Sequence, residues 1–446
     1  MTTMNAPDQI RLQRIEVEGL FGVYDHRIDL NLDDRVTLLH GPNGVGKTHT
    51  LGMIDSLLRK DTSYFLQVPC KRFRLTFAGS VLELAISSAD REQHRGQLTL
   101  ESGGNSETAT VTLGSEADDI AGQVGFLERR TDKPGIWEDL RNGELLSEDE
   151  VLARHGSSKG HRSISRPEDV GWFDAFLRNT RSRFIEAQRL VQIHWAHPGR
   201  GLLRSQRGYP TTSTVLDRGR EFREILGNAM ADYGRQAQTL DQTFPQRLVA
   251  ATDRFDNVEL QRRMTALEDR TAQFEEIGIL DEAEDETGHS FELHSTALDD
   301  TQARVMTLYV QDTERKLDAL ADLARRIRHL LDHVNGKYRH KQLRIDRDEG
   351  LVAEDDRSDR LPLDSLSSGE QHELVMHYDL LFRVPANTIV LIDEPELSLH
   401  VSWQKHFLPD LLEVAKLSTF DAIVATHSPY IIGERDDLMA ELGDPA

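Results

Sequence analysis

RVTLLHGPNGVGKTHTLGMIDSLLRK, residues 35–60, is the stretch that decides the fold. An apolar run that begins at Val36 leads into GPNGVGKT (41–48), and apolar residues at helical spacing follow. This order predicts a strand, a glycine-rich turn and a helix, with the G-x-x-x-x-G-K-[ST] pattern in the turn. Glycines let the backbone curl around a phosphate so that successive N–H groups point inward. The stretch therefore predicts a phosphate site.

The polar residues of this turn suit a nucleotide with a bound cation. The helix N-terminus adds partial positive charge, and the Lys47 ammonium can reach the β- and γ-phosphates. The Thr48 hydroxyl is placed to hold Mg²⁺.

Composition limits the class of protein. The chain has 446 residues, enough for two or three domains or for one domain with a large insertion. Its 53 Lys and Arg against 76 Asp and Glu give a formal net charge of −23, which repels DNA on average. The single cysteine, Cys70, fits a reducing compartment, and the sequence has neither a signal peptide nor a long apolar run. We expect a cytoplasmic protein.

The N-terminal part predicts strands. Residues 10–40 indicate three of them, and residues 62–115 indicate antiparallel hairpins that form a side sheet. Phe21 and Tyr24 lie between the first two strands, where one of them stacks on an adenine ring or both pack at a strand corner. The expected side-sheet strands are FLQV (65–68), KRFRLTF (71–77), VLELAIS (81–87), QLTL (97–100) and ATVTL (109–113).

The middle of the chain predicts helices over roughly 215–275 and 296–340. Apolar residues of the second helix step by three and four, which is typical of a heptad seam. A helix of forty residues is about 60 Å long, so this pattern predicts a short arm. The seam residues are Leu317, Leu320, Ala324, Ile327, Leu331 and Val334.

A cluster of arginines precedes these helices. It suits a phosphate-facing patch, a solvated loop or an interface with an acidic partner, and the sequence leaves these three open. The residues are Arg200, Arg204, Arg207, Arg218, Arg220 and Arg223.

Two apolar strands in the C-terminal part end in reactive side chains. TIVLIDE (388–394) ends in Asp393, which can hold Mg²⁺, and Glu394, which can polarise an attacking water. AIVATHS (422–428) contains His427, which can reach the γ-phosphate of a nucleotide held by the first turn.

Two further segments are candidates for the same site. In LSSGEQ (366–371), Ser367 and Ser368 can cap a helix and leave its N–H groups facing an anion. In RSRFIEAQRL (181–190), Gln188 either completes the Mg²⁺ and water shell or is a surface glutamine.

Together these segments resemble ABC-type ATPases of the SMC/RecF/OLD branch. GPNGVGKT resembles Walker A, LSSGEQ the ABC signature, and TIVLIDE a Walker B segment with Glu394 as the catalytic glutamate. His427 falls at the switch histidine and Gln188 at the Q-loop. His400 stands where transporters usually have an aspartate in the D-loop, which is a departure from the pattern.

The resemblance implies an α/β fold with a P-loop ATPase head. This head would contain a mixed sheet with helices on both faces, an antiparallel β side sheet and an inserted helical arm. Residues 1–190 would form the N-terminal half of the head, 191–345 the arm and 346–446 the C-terminal half.

The resemblance also implies the cofactors ATP and Mg²⁺. It places the metal at Thr48, Gln188 and Asp393, and catalysis at Glu394, His427 and again Gln188. The residues that would bind the nucleotide are Asn43, Gly44, Val45, Gly46, Lys47, Thr48 and His49 of one protomer and Ser367, Ser368, Gly369 and Glu370 of another. A homodimer or higher homo-oligomer follows from this sharing.

DEPELSLH followed by THSPYII resembles the ATPase subunits of bacterial anti-phage systems and of OLD-family nucleases. Some fourteen residues follow Ile432, too few for a Toprim nuclease domain. We therefore expect a separate nuclease or toxin partner, HNH as in Septu-like systems or Toprim-like as in PARIS-like systems. The alternatives are an ATP-locked scaffold with little turnover and a RecF-like DNA-repair ATPase.

Overall fold

The computed structural model describes most of the chain. Two predicted site positions, Gln188 and His400, lie outside the described residues, as do Arg200, Arg204 and Arg207. The described residues are 11–113, 120–121, 124–130, 136–141, 143–147, 150–151, 154, 170–185, 191–193, 211–281, 298–397 and 401–443.

The strands, in chain order, are β1 (Leu12–Leu20), β2 (Tyr24–Asp29), β3 (Val36–His40), β4 (Arg72–Phe77), β5 (Ser80–Ala85), β6 (Arg95–Ser102), β7 (Asn105–Thr112), β8 (Leu127–Arg129), β9 (Ile136–Asp139), β10 (Glu144–Ser147), β11 (Arg181–Ile185), β12 (Val191–Ile193), β13 (Thr211–Ser213), β14 (Lys341–Asp346), β15 (Gly350–Asp355), β16 (Arg360–Leu361), β17 (Thr388–Asp393), β18 (Asp421–Ala425) and β19 (Met439–Glu441).

The α-helices are α1 (Lys47–Leu58), α2 (Tyr64–Gln67), α3 (Ser88–Glu92), α4 (Gly171–Leu177), α5 (Thr214–Ala250), α6 (Asn257–Glu276), α7 (Asp300–Asp318), α8 (Ala321–Lys337), α9 (Ser368–Phe382), α10 (Val401–Ser418) and α11 (Pro429–Ile432). Short 3₁₀ helices occur at Leu363–Ser365, Pro395–Leu397 and Asp436–Leu438. No helix in the described part of the chain combines the length and apolar character needed to cross a bilayer.

The chain forms two compact units. The first comprises Met1–Ala187 and Val384–Ala446, and the second comprises Gln188–Arg383. The two ends of the sequence thus belong to one unit. The predicted division at residues 190 and 345 stays a prediction.

A five-stranded parallel sheet in the first unit positions the candidate site. Its strand order is β11-β17-β18-β3-β19, and every neighbouring pair is parallel. Strands β17 and β18 are buried along almost their whole length, as expected for strands covered on both faces. In the register, Asp393 lies opposite Ala425, and Ala425 lies opposite Leu39. The carboxyl ends of three strands therefore meet at one edge.

The predicted side sheet is confirmed, with one error. Six antiparallel strands follow the order β2-β1-β4-β5-β6-β7, and β4 and β5 alternate buried and half-buried residues. The segment FLQV is not a strand, because Tyr64–Gln67 forms helix α2. A local turn decides this: the Ser63 N–H bonds to the Asp61 carboxylate at 3.1 Å, and the Phe65 N–H bonds to the Thr62 carbonyl at 3.1 Å.

One apolar core joins the two large sheets of the first unit to helix α1. It includes Val17 and Phe73 from the antiparallel sheet, Ile54 from α1, and Leu391 and Ile423 from the parallel sheet. The predicted α/β class, with a parallel sheet, antiparallel sheets and helices, is confirmed.

The second unit contains the long helices α5 to α8, helix α9 and the antiparallel sheet β14-β15-β16. The predicted forty-residue helix is wrong. Helix α7 has 19 residues and α8 has 17, because the chain turns at Leu320, whose N–H bonds to the Leu317 carbonyl at 3.1 Å. Both Leu317 and Leu320 are buried, whereas Leu331 is half-buried and Leu330 takes the fully buried position of the seam.

Candidate nucleotide-binding site

The phosphate turn depends on glycines at two places. Gly46 has a φ of 99°, and a Cβ there would lie 2.4 Å from the Leu20 Cδ2. A Cβ on Gly41 would lie 2.2 Å from the carbonyl oxygen of Leu442. On the other side, the buried His26 imidazole contacts the Val45 carbonyl through Nε2 at 2.8 Å. Neighbouring segments therefore fix the path of the turn.

Lys47 begins helix α1 and is almost fully buried. Its Nζ donates to the carbonyls of Gly41 at 2.7 Å and Pro42 at 3.1 Å, and lies 3.4 Å from the His427 Nδ1. An ammonium group can only donate, so the Nδ1 of His427 is the acceptor in this contact. Burial lowers the pKa of Lys47, whereas the charges of nearby carboxylates, first among them Glu394, act to raise it.

Thr48 and Asp393 come together from opposite ends of the sequence. The Thr48 hydroxyl donates to the Asp393 carboxylate at 3.0 Å. Burial raises the pKa of Asp393 to about 6, and the charges of Glu394 and Glu396 act in the same direction, whereas the Thr48 hydrogen bond and Lys47 oppose it. A hydroxyl and a carboxylate are oxygen ligands of the kind that Mg²⁺ prefers. The donor set fits this metal.

Glu394 follows β17 in an unusual backbone conformation. Its φ is 43°, in the left-handed region that side chains other than glycine rarely adopt. Its N–H donates to the carbonyl of Ala425 at 2.9 Å, which holds the turn against the end of β18. Such a conformation is costly and is found most often at functional sites.

Glu396 belongs to this group of side chains, although the sequence analysis assigned it no role. Its carboxylate accepts hydrogen bonds from the Thr426 hydroxyl at 2.9 Å and from the His427 N–H at 2.7 Å. The only sequence signal was its place one residue after Pro395 in the DEPE segment. That signal did not reveal a partner thirty residues away.

His49 lies at the start of helix α1 between two aromatic side chains. Its Nδ1 is 3.1 Å from the Tyr64 hydroxyl, and its ring meets Phe21 edge-on at 5.2 Å. Burial lowers the pKa of His49 and raises that of Tyr64 to about 12. Tyr24 instead stacks on His26 at 5.9 Å. Of the two aromatic residues considered for an adenine, Phe21 is the one beside the phosphate turn.

The predicted signature residues lie in the second unit, at the N-terminus of helix α9. Ser367 is the N-cap, and the Glu370 carboxylate accepts the Ser367 N–H at 2.7 Å in a capping box. Burial acts to raise the pKa of Glu370, but hydrogen bonds from Lys341, at 2.9 Å, and Ser367 leave it lowered. Ser368 is exposed and Gly369 is half-buried. The expected helix cap is present.

Arg218 is not part of an exposed basic patch. The residue is 4% exposed, and its guanidinium donates to the Asp379 carboxylate at 2.6 Å. The interpretation of this residue as phosphate-facing is therefore wrong. Arg220 and Arg223 are exposed.

Residues 220–433 match the family model described as "AAA domain, putative AbiEii toxin, Type IV TA system". The matched segment is just under half of the chain, and it contains LSSGEQ, TIVLIDE and His427. A search of the curated proteins gives no match.

Solved structures of SMC head domains resemble the chain over most of its length. A head domain with an extended coiled coil from Pyrococcus furiosus, bound to the C-terminal domain of ScpA, is 12% identical, with 95% of this chain and 91% of that chain covered and a TM-score of 0.30. The SMC head domain from Thermotoga maritima is 12% identical, with 97% and 94% covered and a TM-score of 0.30. An SMC head bound to the C-winged helix domain of ScpA is 10% identical, with 95% and 91% covered and a TM-score of 0.31.

At these TM-scores the three likenesses add no argument about the fold. The α/β class follows from the sheets and helices described above. The match of residues 220–433 supports an ATPase of the AAA type.

Proposed function

We propose that this chain is an ABC-type ATPase that binds ATP with Mg²⁺ at the edge of the parallel sheet. The observation that carries the proposal is the meeting of Lys47, Thr48, Asp393 and His427 at this edge. Thr48 and Asp393 are 345 residues apart in the sequence, and Lys47 and His427 are 380 residues apart. Since this convergence joins a phosphate turn to a carboxylate and a histidine, it supports hydrolysis of a nucleoside triphosphate.

Each side chain has a role in the proposed reaction. The N–H groups of Asn43 to Thr48 hold the phosphates, and Lys47 exchanges its carbonyl partners for phosphate oxygens. Thr48 and Asp393 would hold Mg²⁺, which neutralises phosphate charge when it is bound, and Gln188 is the third residue proposed for it. Glu394 accepts a proton from the attacking water, and the Nε2–H of His427 donates to the γ-phosphate.

We further propose that the complete site requires two protomers. Ser367, Ser368, Gly369 and Glu370 of one copy would close over the nucleotide held by the other copy, so that ATP links two chains. A small hydroxyl and an unobstructed N–H at Ser368 and Gly369 suit a close approach to phosphate. The assembly would control a separate nuclease or toxin in anti-phage defence.

Nucleotide binding tests the first part of this proposal. Wild-type protein should bind a fluorescent ATP analogue in the presence of Mg²⁺, and Lys47→Ala should bind at least about tenfold more weakly, because a charge-assisted phosphate contact is lost. Lys60→Ala, which changes a lysine two residues after the end of α1, is the matched control. Equal binding by wild type and Lys47→Ala would contradict the proposal.

Two measurements test assembly and turnover separately: the mass of the complex reports assembly, and the release of phosphate reports turnover. Glu394→Gln should retain ATP-dependent dimers or larger oligomers but lose phosphate release. If wild-type protein assembles with ATP but releases no phosphate, the chain is a nucleotide-locked scaffold. Co-expression with the neighbouring gene then tests for the partner, and an unchanged mass with ATP and with that protein would contradict the proposed complex.

A further inference from the structure

The Glu396 carboxylate joins two turns of the candidate site. Both of its oxygens accept hydrogen bonds from the turn after β18: Oε2 from the Thr426 hydroxyl at 2.9 Å, and Oε1 from the His427 N–H at 2.7 Å. Thr426 is completely buried. The Glu396 side chain therefore links the turn that contains Glu394 to the turn that contains His427, in addition to the backbone bond from the Glu394 N–H to the Ala425 carbonyl.

Further hydrogen bonds close this link into a ring. The Ser428 N–H donates to the Thr426 hydroxyl oxygen at 3.0 Å, and the Ser428 hydroxyl donates to the Gln404 Oε1 at 2.8 Å. The Gln404 Nε2 donates to the Glu396 carbonyl at 3.3 Å. The ring connects the 3₁₀ helix Pro395–Leu397, helix α10 and the turn after β18. Gln404, Thr426 and Ser428 are buried and Glu396 is half-buried, so the bonds among the first three are shielded from competing water.

We propose that Glu396 is a positioning residue that couples His427 to the turn of the catalytic carboxylate Glu394. When a γ-phosphate engages the imidazole of His427, the displacement of its backbone is passed through the Glu396 carboxylate to the turn after β17. This inference rests on the proposed ATPase function, and it assigns Glu396 no contact with the nucleotide.

The two donors explain why a carboxylate is needed at this position. An ionised carboxylate accepts at both oxygens, whereas an amide has one acceptor oxygen and one donor NH₂ group. In Glu396→Gln, the single amide oxygen accepts from only one of the two donors, and the NH₂ group either faces the His427 N–H or donates to the Thr426 hydroxyl, whose own proton then loses its acceptor. The substitution keeps the size of the side chain but replaces two charge-assisted hydrogen bonds with weaker neutral ones. Thr426→Val removes the hydroxyl link to Glu396 together with the acceptor of the Ser428 N–H, and it leaves the bond from the His427 N–H to Glu396 in place.

Histidine-selective NMR provides a readout that does not depend on turnover. The imidazole signal of His427, identified by its loss in His427→Asn, should shift when Mg²⁺ and ATPγS are added to the wild-type protein. In Glu396→Gln and Thr426→Val this shift should fall to less than about half, while the affinity for the nucleotide changes less than about threefold. Glu434→Gln, at an exposed glutamate of the same unit, should respond as the wild type does.

Steady-state kinetics separate a positioning role from a binding role. Misplaced catalytic groups lower kcat, so we expect Glu396→Gln to reduce kcat about ten- to a hundredfold with little change in KM. A wild-type NMR shift in both Glu396→Gln and Thr426→Val would overturn the inference while nucleotide binding stays intact. Failure of the wild type to bind ATPγS would instead overturn the proposed function together with this inference.

Discussion

Asp393 is half-ionised near pH 6, because burial raises the pKa of its carboxyl group to about 6. The unfolded chain ionises this group near pH 4, so the folded protein holds a proton that the unfolded chain has lost over this interval. The contribution of Asp393 to the free energy of unfolding is therefore fully present below pH 4 and is lost as the pH rises through about 6.

Asp393→Asn should thus raise the free energy of unfolding at pH 7.5 by about 1–2 kcal/mol, a value discounted for partial exposure of the carboxylate. At pH 4 the difference from the wild type should be close to zero. Urea denaturation at both pH values measures this. The same substitution should abolish the Mg²⁺ dependence of nucleotide binding, and equal stability at both pH values would contradict the pKa argument.

Alanine substitutions at two glycines of the phosphate turn distinguish the cost of backbone strain from the cost of a steric clash. Gly44 and Gly46 both have positive φ, at 82° and 99°, but a Cβ on Gly44 meets no atom within 4 Å, whereas one on Gly46 meets Leu20 at 2.4 Å. Gly44→Ala should cost about 1 kcal/mol of stability, and Gly46→Ala about 2–4 kcal/mol. Thermal and urea unfolding measure both, and equal costs would show that Leu20 moves aside.

Residue-scale contacts over long sequence distances were beyond the reach of the sequence analysis. The hydrogen bonds of Glu396 and the ion pair of Arg218 with Asp379 join segments whose patterns give no sign of each other. Thr48 and Asp393 were predicted to serve one metal from local signals, which are the G-x-x-x-x-G-K-[ST] pattern for Thr48 and the end of an apolar run for Asp393. The sequence therefore predicted single positions better than their partners.

At the scale of elements, continuous apolar runs were the most informative signal. The runs at β3, β17 and β18 predicted buried strands, and all three lie in the parallel sheet. The amphipathic periodicity of the helices was less informative, because it does not show where one helix ends and the next begins. It continues through Leu320, where hydrogen bonding ends one helix, and the next helix starts at Ala321.

Helix α9 offers a test at this scale. Ser367 caps the helix and Ser368 is its first residue, and both are exposed. Ser367→Ala should lower the free energy of unfolding by about 1 kcal/mol, because the Glu370 N–H loses its acceptor. Ser368→Ala, the matched control, should change it by less than about 0.5 kcal/mol. Chemical denaturation measures both changes in the free energy of unfolding, and equal changes in the two variants would show that the cap does not stabilise the helix.

At the scale of the whole molecule, charge determines which partners can approach. The formal net charge is −23, and the guanidinium of Arg218 is already paired with Asp379. We therefore expect the isolated protein to bind duplex DNA negligibly at about 150 mM salt. Fluorescence anisotropy measures this, with the same titration at about 50 mM salt as the control. Micromolar binding with a steep salt dependence would favour the RecF-like alternative.

The parallel sheet also has a consequence for the order of synthesis. Strand β3 pairs with β18 on one side and β19 on the other, and Lys47 and His427 are 380 residues apart. On a ribosome that adds about 5–20 residues per second, strands β18 and β19, which flank β3 in the sheet, are synthesised roughly 20–80 s after the phosphate turn. The candidate nucleotide site is therefore incomplete in the nascent chain, and it can bind ATP only after β19 has been synthesised.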